Sequence, residues 1–232
     1  MKAKKFIPVI LAAITMTMAA GCSAEPEAWE YEVGVDTFMT QEMADFVEEI
    51  RPEVPIYANY LVESAAISTG VGVAYEANGV KVEMSTYMES LDKLAVTTNT
   101  GGVTSDIILK DGVYYMVSDE EKSVIYKEMT EEEKAVITES MTSSMQPAFD
   151  PAAAQYESGK TEYNGTEYLY EKITTAEVGE VMIYADTKTK DVKYIQSGGQ
   201  VMELTFLEHE IDGSVFEIPA DYTMTDIATM NG

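Results

Sequence analysis

The chain has almost no histidine, arginine, cysteine or tryptophan: His209, Arg51, Cys22 and Trp29 are the sole representatives of their types in 232 residues. One cysteine excludes an intramolecular disulfide, so an extracytoplasmic domain built from this sequence must be held by its core. One histidine cannot supply the three or four nitrogen or sulfur ligands of a zinc site. It also lies between Glu208 and Glu210, and no nucleophile-elbow sequence accompanies it to complete a Ser–His–Asp triad. Cations are scarce: 15 Lys and Arg face 41 Asp and Glu, for a net charge of −26. Such a surface cannot neutralise phosphates, which excludes nucleic acid as a partner and makes anionic lipid head groups repulsive. No cofactor is implied, because Gly70-Val71-Gly72 lacks the third glycine and the following helix of a phosphate cradle.

What is present starts at the N-terminus. Lys2, Lys4 and Lys5 precede an uncharged run from Phe6 to Ala20, which leads into Ala19-Ala20-Gly21-Cys22. A basic segment, an apolar segment and small residues before a cysteine read as a bacterial lipoprotein signal peptide over residues 1–21. The apolar run falls short of the roughly 20 residues that span a bilayer, and Pro8 interrupts it. Cys22 is then the lipidation site, its thiol carrying diacylglycerol, whose two chains anchor stably where one would not. Cleavage leaves 211 residues, Cys22 to Gly232, and loss of three lysines takes the charge to −29. The expected location is the extracytoplasmic face of the bacterial cell membrane. Residues 22–34 form an acidic tether, kept solvated by Glu25, Glu27 and Glu30 and stiffened by Pro26. The remainder, 35–232, suits a single domain.

Within that domain the spacing of Met39, Met43, Phe46, Val47 and Ile50 predicts an amphipathic helix over 37–50, stopped by Pro52. Residues 56–66 fit a helix or a buried strand equally. From Gly70 the period becomes two, broken by Asn78-Gly79, Gly101-Gly102, Asp111-Gly112, Asn164-Gly165 and Gly198-Gly199, the dipeptides of tight hairpins. Strands are expected at 71–75, 80–87, 103–109, 113–117, 123–127, 167–173, 181–185, 192–196 and 201–207, with 215–218 as a last one. Asp186 to Asp191 reads as a polar turn. A second helix follows the capping box Thr130-Glu131-Glu132-Glu133, with Val136, Ile137, Met141 and Met145 as its apolar stripe and Pro147 as its end. Residues 147–155 read as a linker with a short helical turn at 152–154, and 222–232 as a loosely held tail.

Several strands are apolar on both faces: Tyr114 and Met116 alternate with Tyr115 and Val117. Both faces therefore need cover, and the two helices are the available material. The fold class expected is α+β, a curved antiparallel sheet (an unclosed half-barrel) wrapped around lid helices. The lipoprotein box, the N-terminal helix, the hairpin Ile108 to Met116, the second helix, the strand Asp191 to Ile195 and the closing Val215 to Tyr222 come in this order. In that order the chain resembles the LolA/LppX-like bacterial lipoproteins and lipoprotein carriers. The resemblance implies antiparallel strands in an unclosed barrel, helices as a lid, and an apolar cavity between them.

No constellation of residues supports an enzyme. Ser90-Leu91-Asp92-Lys93 has the Ser-x-x-Lys spacing of penicillin-binding enzymes, but Ser105-Asp106 and Lys160-Thr161 fail to continue into the partner motifs. Carboxylate pairs suited to glycoside hydrolysis carry no information among 41 acids, and no EF-hand spacing is present. The 15 tyrosines and 15 methionines offer a binding surface instead. Met39, Met43, Phe46, Met141 and Met145 on helices, and Tyr114, Met116, Tyr168 and Tyr170 on strands, are the candidate lining for a hydrophobic ligand, a lipid or acyl chain. The same residues also fit a filled core with cross-strand pairs. On that reading the lipid-anchored domain meets an envelope protein through its acidic surface.

Overall fold

The computed structural model describes residues 32–33, 36–144 and 146–231. The fold is α+β: an unclosed, curved, twelve-stranded sheet with three helices among the described residues. A first meander comprises β1 (Thr69–Ala77), β2 (Val80–Ser90), β3 (Lys93–Thr100), β4 (Val103–Lys110), β5 (Val113–Ser118) and β6 (Ser123–Glu128). A second comprises β7 (Gln155–Tyr163), β8 (Thr166–Thr175), β9 (Gly179–Asp186), β10 (Val192–Ser197) and β11 (Gln200–Glu208). The two join where β1 pairs antiparallel with β11, so the earliest and latest strands of the meanders meet at mid-sheet.

All five hairpin dipeptides hold both residues at positive φ, for example Asn78 at 54° with Gly79 at 77° and Asn164 at 49° with Gly165 at 78°. That conformation matches the right-handed twist of the flanking strands and locks each register. The 186–191 turn is closed by the Asp186 carboxylate, which accepts from the backbone N–H of Thr189 and Lys188. Those two bonds hold its pKa below the usual aspartate value.

Helix α1 (Gln41–Ile50) starts later than its periodicity predicts. Thr37 is drawn into an extended bridge with Ala66, and its hydroxyl donates to the Ala65 carbonyl, so Thr40 becomes the N-cap. Residues 55–64 are helical, forming α2 (Pro55–Ser64). Met43, Phe46, Val47 and Ile50 of α1 and Ala58, Tyr60, Leu61 and Val62 of α2 close over Ile173, Ile183, Val192 and Ile195 of the second meander. Each fully buried aliphatic side chain there contributes about 1.5–3 kcal/mol. Helix α3 (Glu131–Ser144) begins at the expected capping box: Glu133 N–H donates to the Thr130 hydroxyl, and Thr130 N–H donates to the Glu133 carboxylate. Val136 of its expected stripe is exposed, while Ile137 packs on the sheet.

The chain after β11 corrects two expectations. Residues 215–218 form no strand: a 3-10 turn (Gly213–Phe216) drives Phe216 onto Ala95, Ile108, Val117 and Val124, on the outer face of the first meander. The second face of these strands is thus covered by the C-terminal segment and not by helices. The expected loose tail is also structured, because β12 (Thr223–Asp226) pairs parallel with β6 and Tyr222 donates to Asp119 at 2.7 Å.

Candidate functional site

Register assigns every strand residue to a face. Leu94 pairs Leu109, Leu109 pairs Tyr114, Val96 pairs Ile107 and Ile107 pairs Met116, so these share the inner face with Val73 and Met84. The same parity carries Val80, Val82, Thr98, Thr100, Val103 and Ser105 onto it. Call the ends of the sheet the first rim, where β1 begins at Thr69, and the second rim, where it ends at Ala77. Near the first rim the inner face is closed: Phe38, Met129 and Ile137 pack over it, and Leu94 and Leu109 are 7% and 3% exposed. Towards the second rim the cover ends, and Met116, Val80 and Val103 stand 46%, 40% and 52% exposed. This open stretch of the inner face, termed the trough below, has Val82 and Met84 buried on β2, the hydroxyl-bearing Thr98 and Thr100 beside them on β3, and Ser105 and Ser118 next in line on β4 and β5. Exposed large apolar side chains that share one face of a sheet are the kind of patch that marks a binding surface.

The predicted lining residues do not form one surface. Met39, Met43 and Phe46 are buried inside the α1–α2 cluster, Phe46 edge-on to Phe149 with ring centroids 5.0 Å apart. Tyr114 and Met116 lie on the inner face of the first meander, Met116 in the trough. Tyr168 and Tyr170 lie on the outer face of the second meander, opposite to Ile173 and Ile183. Tyr168 joins Tyr163, Tyr184 and Tyr194 in a cluster with centroids 4.9–6.4 Å apart, and Tyr170 donates to Glu157 at 2.5 Å. Helix α3 includes Met141, while Met145 and Cys22, with the tether and the signal segment, lie outside the described residues. Val80 and Val103 went unmarked in the sequence because each directly follows a hairpin dipeptide, a place where exposure is ordinary. Their parity with Met84 and Ile107 was the signal that could have found them.

Sequence reading also missed Glu171. Its side chain is 2% exposed on the inner face of β8, and its two oxygens accept from Ile56 N–H at 2.8 Å and Tyr57 N–H at 2.7 Å. Val54 at the N-cap of α2 offers no side-chain bond, so a carboxylate from across the sheet satisfies the orphan N–H groups and faces the positive helix end. Burial nonetheless pushes its pKa up to about 7, with the two N–H groups acting against it. Burial likewise raises Tyr57 to about 12, so that phenol, stacked on Tyr60, stays neutral. Glu171 holds the helix pair in place and lies apart from the trough.

Among the described residues, no three His, Cys, Asp or Glu side chains converge as a metal ion requires, and no helix is long and apolar enough to cross a membrane. No protein-family model matches the chain, and no curated protein matches it. Among solved structures, an uncharacterised conserved protein from Thermus thermophilus is 5% identical, with a TM-score of 0.40, over 80% of this chain and 99% of its own. A LolA superfamily protein from Nitrosomonas europaea is 7% identical, with a TM-score of 0.25, over 65% of this chain and 89% of its own.

Proposed function

We propose that this protein is a membrane-anchored bacterial surface lipoprotein without enzymatic activity, which holds a hydrophobic ligand, a lipid or acyl chain, in the trough. The observation that carries the reading is that exposed Val80, Val103 and Met116 share one face of the sheet with buried Val82 and Met84. A flexible thioether and two rigid valines on one face suit an irregular alkyl chain, and the hydroxyls between them suit ester or amide groups. Anchoring rests on Cys22 and the basic-then-apolar segment before it.

The test is native mass spectrometry with organic extraction on Ser23–Gly232 purified without its anchor. A reproducible co-purifying amphiphile is expected, and its mass gives its chemical class. A protein that emerges empty, and stays empty after incubation with membrane lipids, overturns the reading in favour of a filled domain that meets a protein partner.

A further inference from the structure

The sheet is unclosed, so it ends in two edges, β12 and β7, and the two are guarded differently. Strand β12 is four residues long and runs straight into a 3-10 turn (Ile227–Asn231). Strand β7 is nine residues long, pairs with β8 along its whole length without a bulge, and contains no proline. Short edges, prolines, bulges and free lysines are the usual devices that keep another strand from adding to a sheet. Lys160 is the one lysine of β7, and its ammonium group is already taken by Glu167 at 2.6 Å.

The hairpin fixes which backbone groups of β7 are free. Asn164 and Gly165 form a two-residue turn, both at positive φ, with Tyr163 facing Thr166. Such a turn makes its flanking residues a hydrogen-bonded pair, and such pairs then alternate along an antiparallel ladder. Thr161, Gly159 and Glu157 therefore bond to β8, and the N–H and C=O groups of Glu162, Lys160 and Ser158 point off the sheet. These three residues are exposed, and among the described residues no other strand pairs with β7.

Charge and side chains define what fits there. Outside buried Glu171, the segment from Gln155 to Asp186 carries Glu157, Glu162, Glu167, Glu177, Glu180 and Asp186 against Lys160 and Lys172. Lys172 lies 3.2 Å from Glu157 and 3.5 Å from Glu180, so both lysines are paired and the excess is negative. On the outer face the Tyr170 ring lies beside Gly159, where a Cβ would come within 3.2 Å of it, and the Tyr170 hydroxyl donates to Glu157. A strand laid along β7 brings one side chain opposite Gly159, next to an aromatic ring and a carboxylate. Lysine or arginine suits that position. A second copy of this chain would bring the same carboxylates to the edge and be repelled.

We infer that β7 is a docking edge for an extended, lysine- or arginine-rich segment of another protein, which adds to the sheet as one more strand through Ser158, Lys160 and Glu162. The inference stands apart from the trough and from anchoring at Cys22.

The experiment uses the full chain in detergent, labelled with 15N, and as probe a blocked nine-residue peptide of alternating threonine and lysine, the length of β7. Amide hydrogen exchange is read residue by residue. The peptide is expected to slow exchange at Ser158, Lys160 and Glu162 by about tenfold, while Gly159 and Thr161, already bonded to β8, change little. The same peptide with glutamate in place of lysine is expected to leave all five unchanged. Lys160→Pro removes an outward N–H and no bond to β8, and is expected to weaken binding of the lysine peptide about tenfold with little change in melting temperature. If that variant unfolds, exchange in the unaltered chain still decides. Protection at Thr223–Asp226 in place of β7, equal protection by the glutamate peptide, or no protection at any of the three amides overturns the inference. Protection without peptide that grows with protein concentration also overturns it, in favour of pairing between copies.

Discussion

The two meanders bury their inner faces to different extents. Behind the second, α1 and α2 close a cluster in which Val47, Ile50, Val54, Val62 and Ile173 have no exposed surface, and the helix pair is fastened by Glu171. Over the first, Phe38 together with Met129 and Ile137 of the α3 region covers one end and leaves the other open. The outer faces reverse the pattern. The first meander is roofed by Phe216 and its neighbours, while the second carries its own packed tyrosines. One half is thus built to be complete on its inner side, and the other is complete on its outer side with an apolar interior left available. Binding is expected where the interior is unfinished.

The largest effect should come from breaking the seam between the halves. Gly70 and Gly72 on β1 give the Tyr87 and Phe206 rings room to stack at 5.9 Å, and a Cβ at Gly72 would lie 2.2 Å from the Phe206 ring and 2.4 Å from the Thr205 hydroxyl. Gly72→Ala is expected to cost about 3 kcal/mol or more in urea unfolding, and Phe206→Ala in the same chain to recover part of that loss. Recovery would show that the clash, and not β-propensity, is the cause. Phe216→Ala, which strips the roof from the first meander, is expected to cost about 3–5 kcal/mol by the same measurement.

A third test separates the halves by pH. The Glu171 pKa is raised from 4.5 to about 7, so the folded state holds the proton more tightly than the unfolded chain does. Its contribution is fully present below pH 4.5 and is lost as pH rises through about 7, roughly 3 kcal/mol in all. Thermal melts from pH 4 to 8 should show this decline, and Glu171→Gln should flatten it. An unchanged slope in Glu171→Gln would assign the pH dependence elsewhere.

Part of this contrast was legible in advance, and the physical reasons differ by element. The hairpins were legible because Asn-Gly, Asp-Gly and Gly-Gly tolerate positive φ at both central positions. Strand β3 escaped because the Leu91-Asp92 turn before it needs no positive φ and so lacks a dipeptide signature. Strand β7 escaped because an edge strand without a buried residue shows no alternation, and Gly159 and Lys160 look like loop. Glu171 could not be read, since a glutamate in a half-buried strand is expected to face water until a helix end 115 residues away in sequence is known to meet it. The apolar residues on both sides of β4 and β5 correctly called for two covers, but composition could not say that Phe216 would supply the outer one.

The smallest effect on stability should come from the trough. Met116→Ser and Val103→Ser remove side chains already half in water, so each should shift unfolding by no more than about 0.5–1 kcal/mol. The same variants should weaken ligand retention severalfold in the native mass spectra. A large loss of stability would mean that these residues belong to a core.

The most direct measurement is paramagnetic broadening of methionine methyl resonances in Ser23–Gly232, labelled with 13C-methyl methionine and titrated with doxyl-stearic acid. The exposed Met116 methyl is expected to broaden first, while Met39 and Met43, buried in the cluster under α1 and α2, stay sharp. Broadening of Met39 and Met43 with Met116 untouched, or no broadening at all, would contradict that expectation.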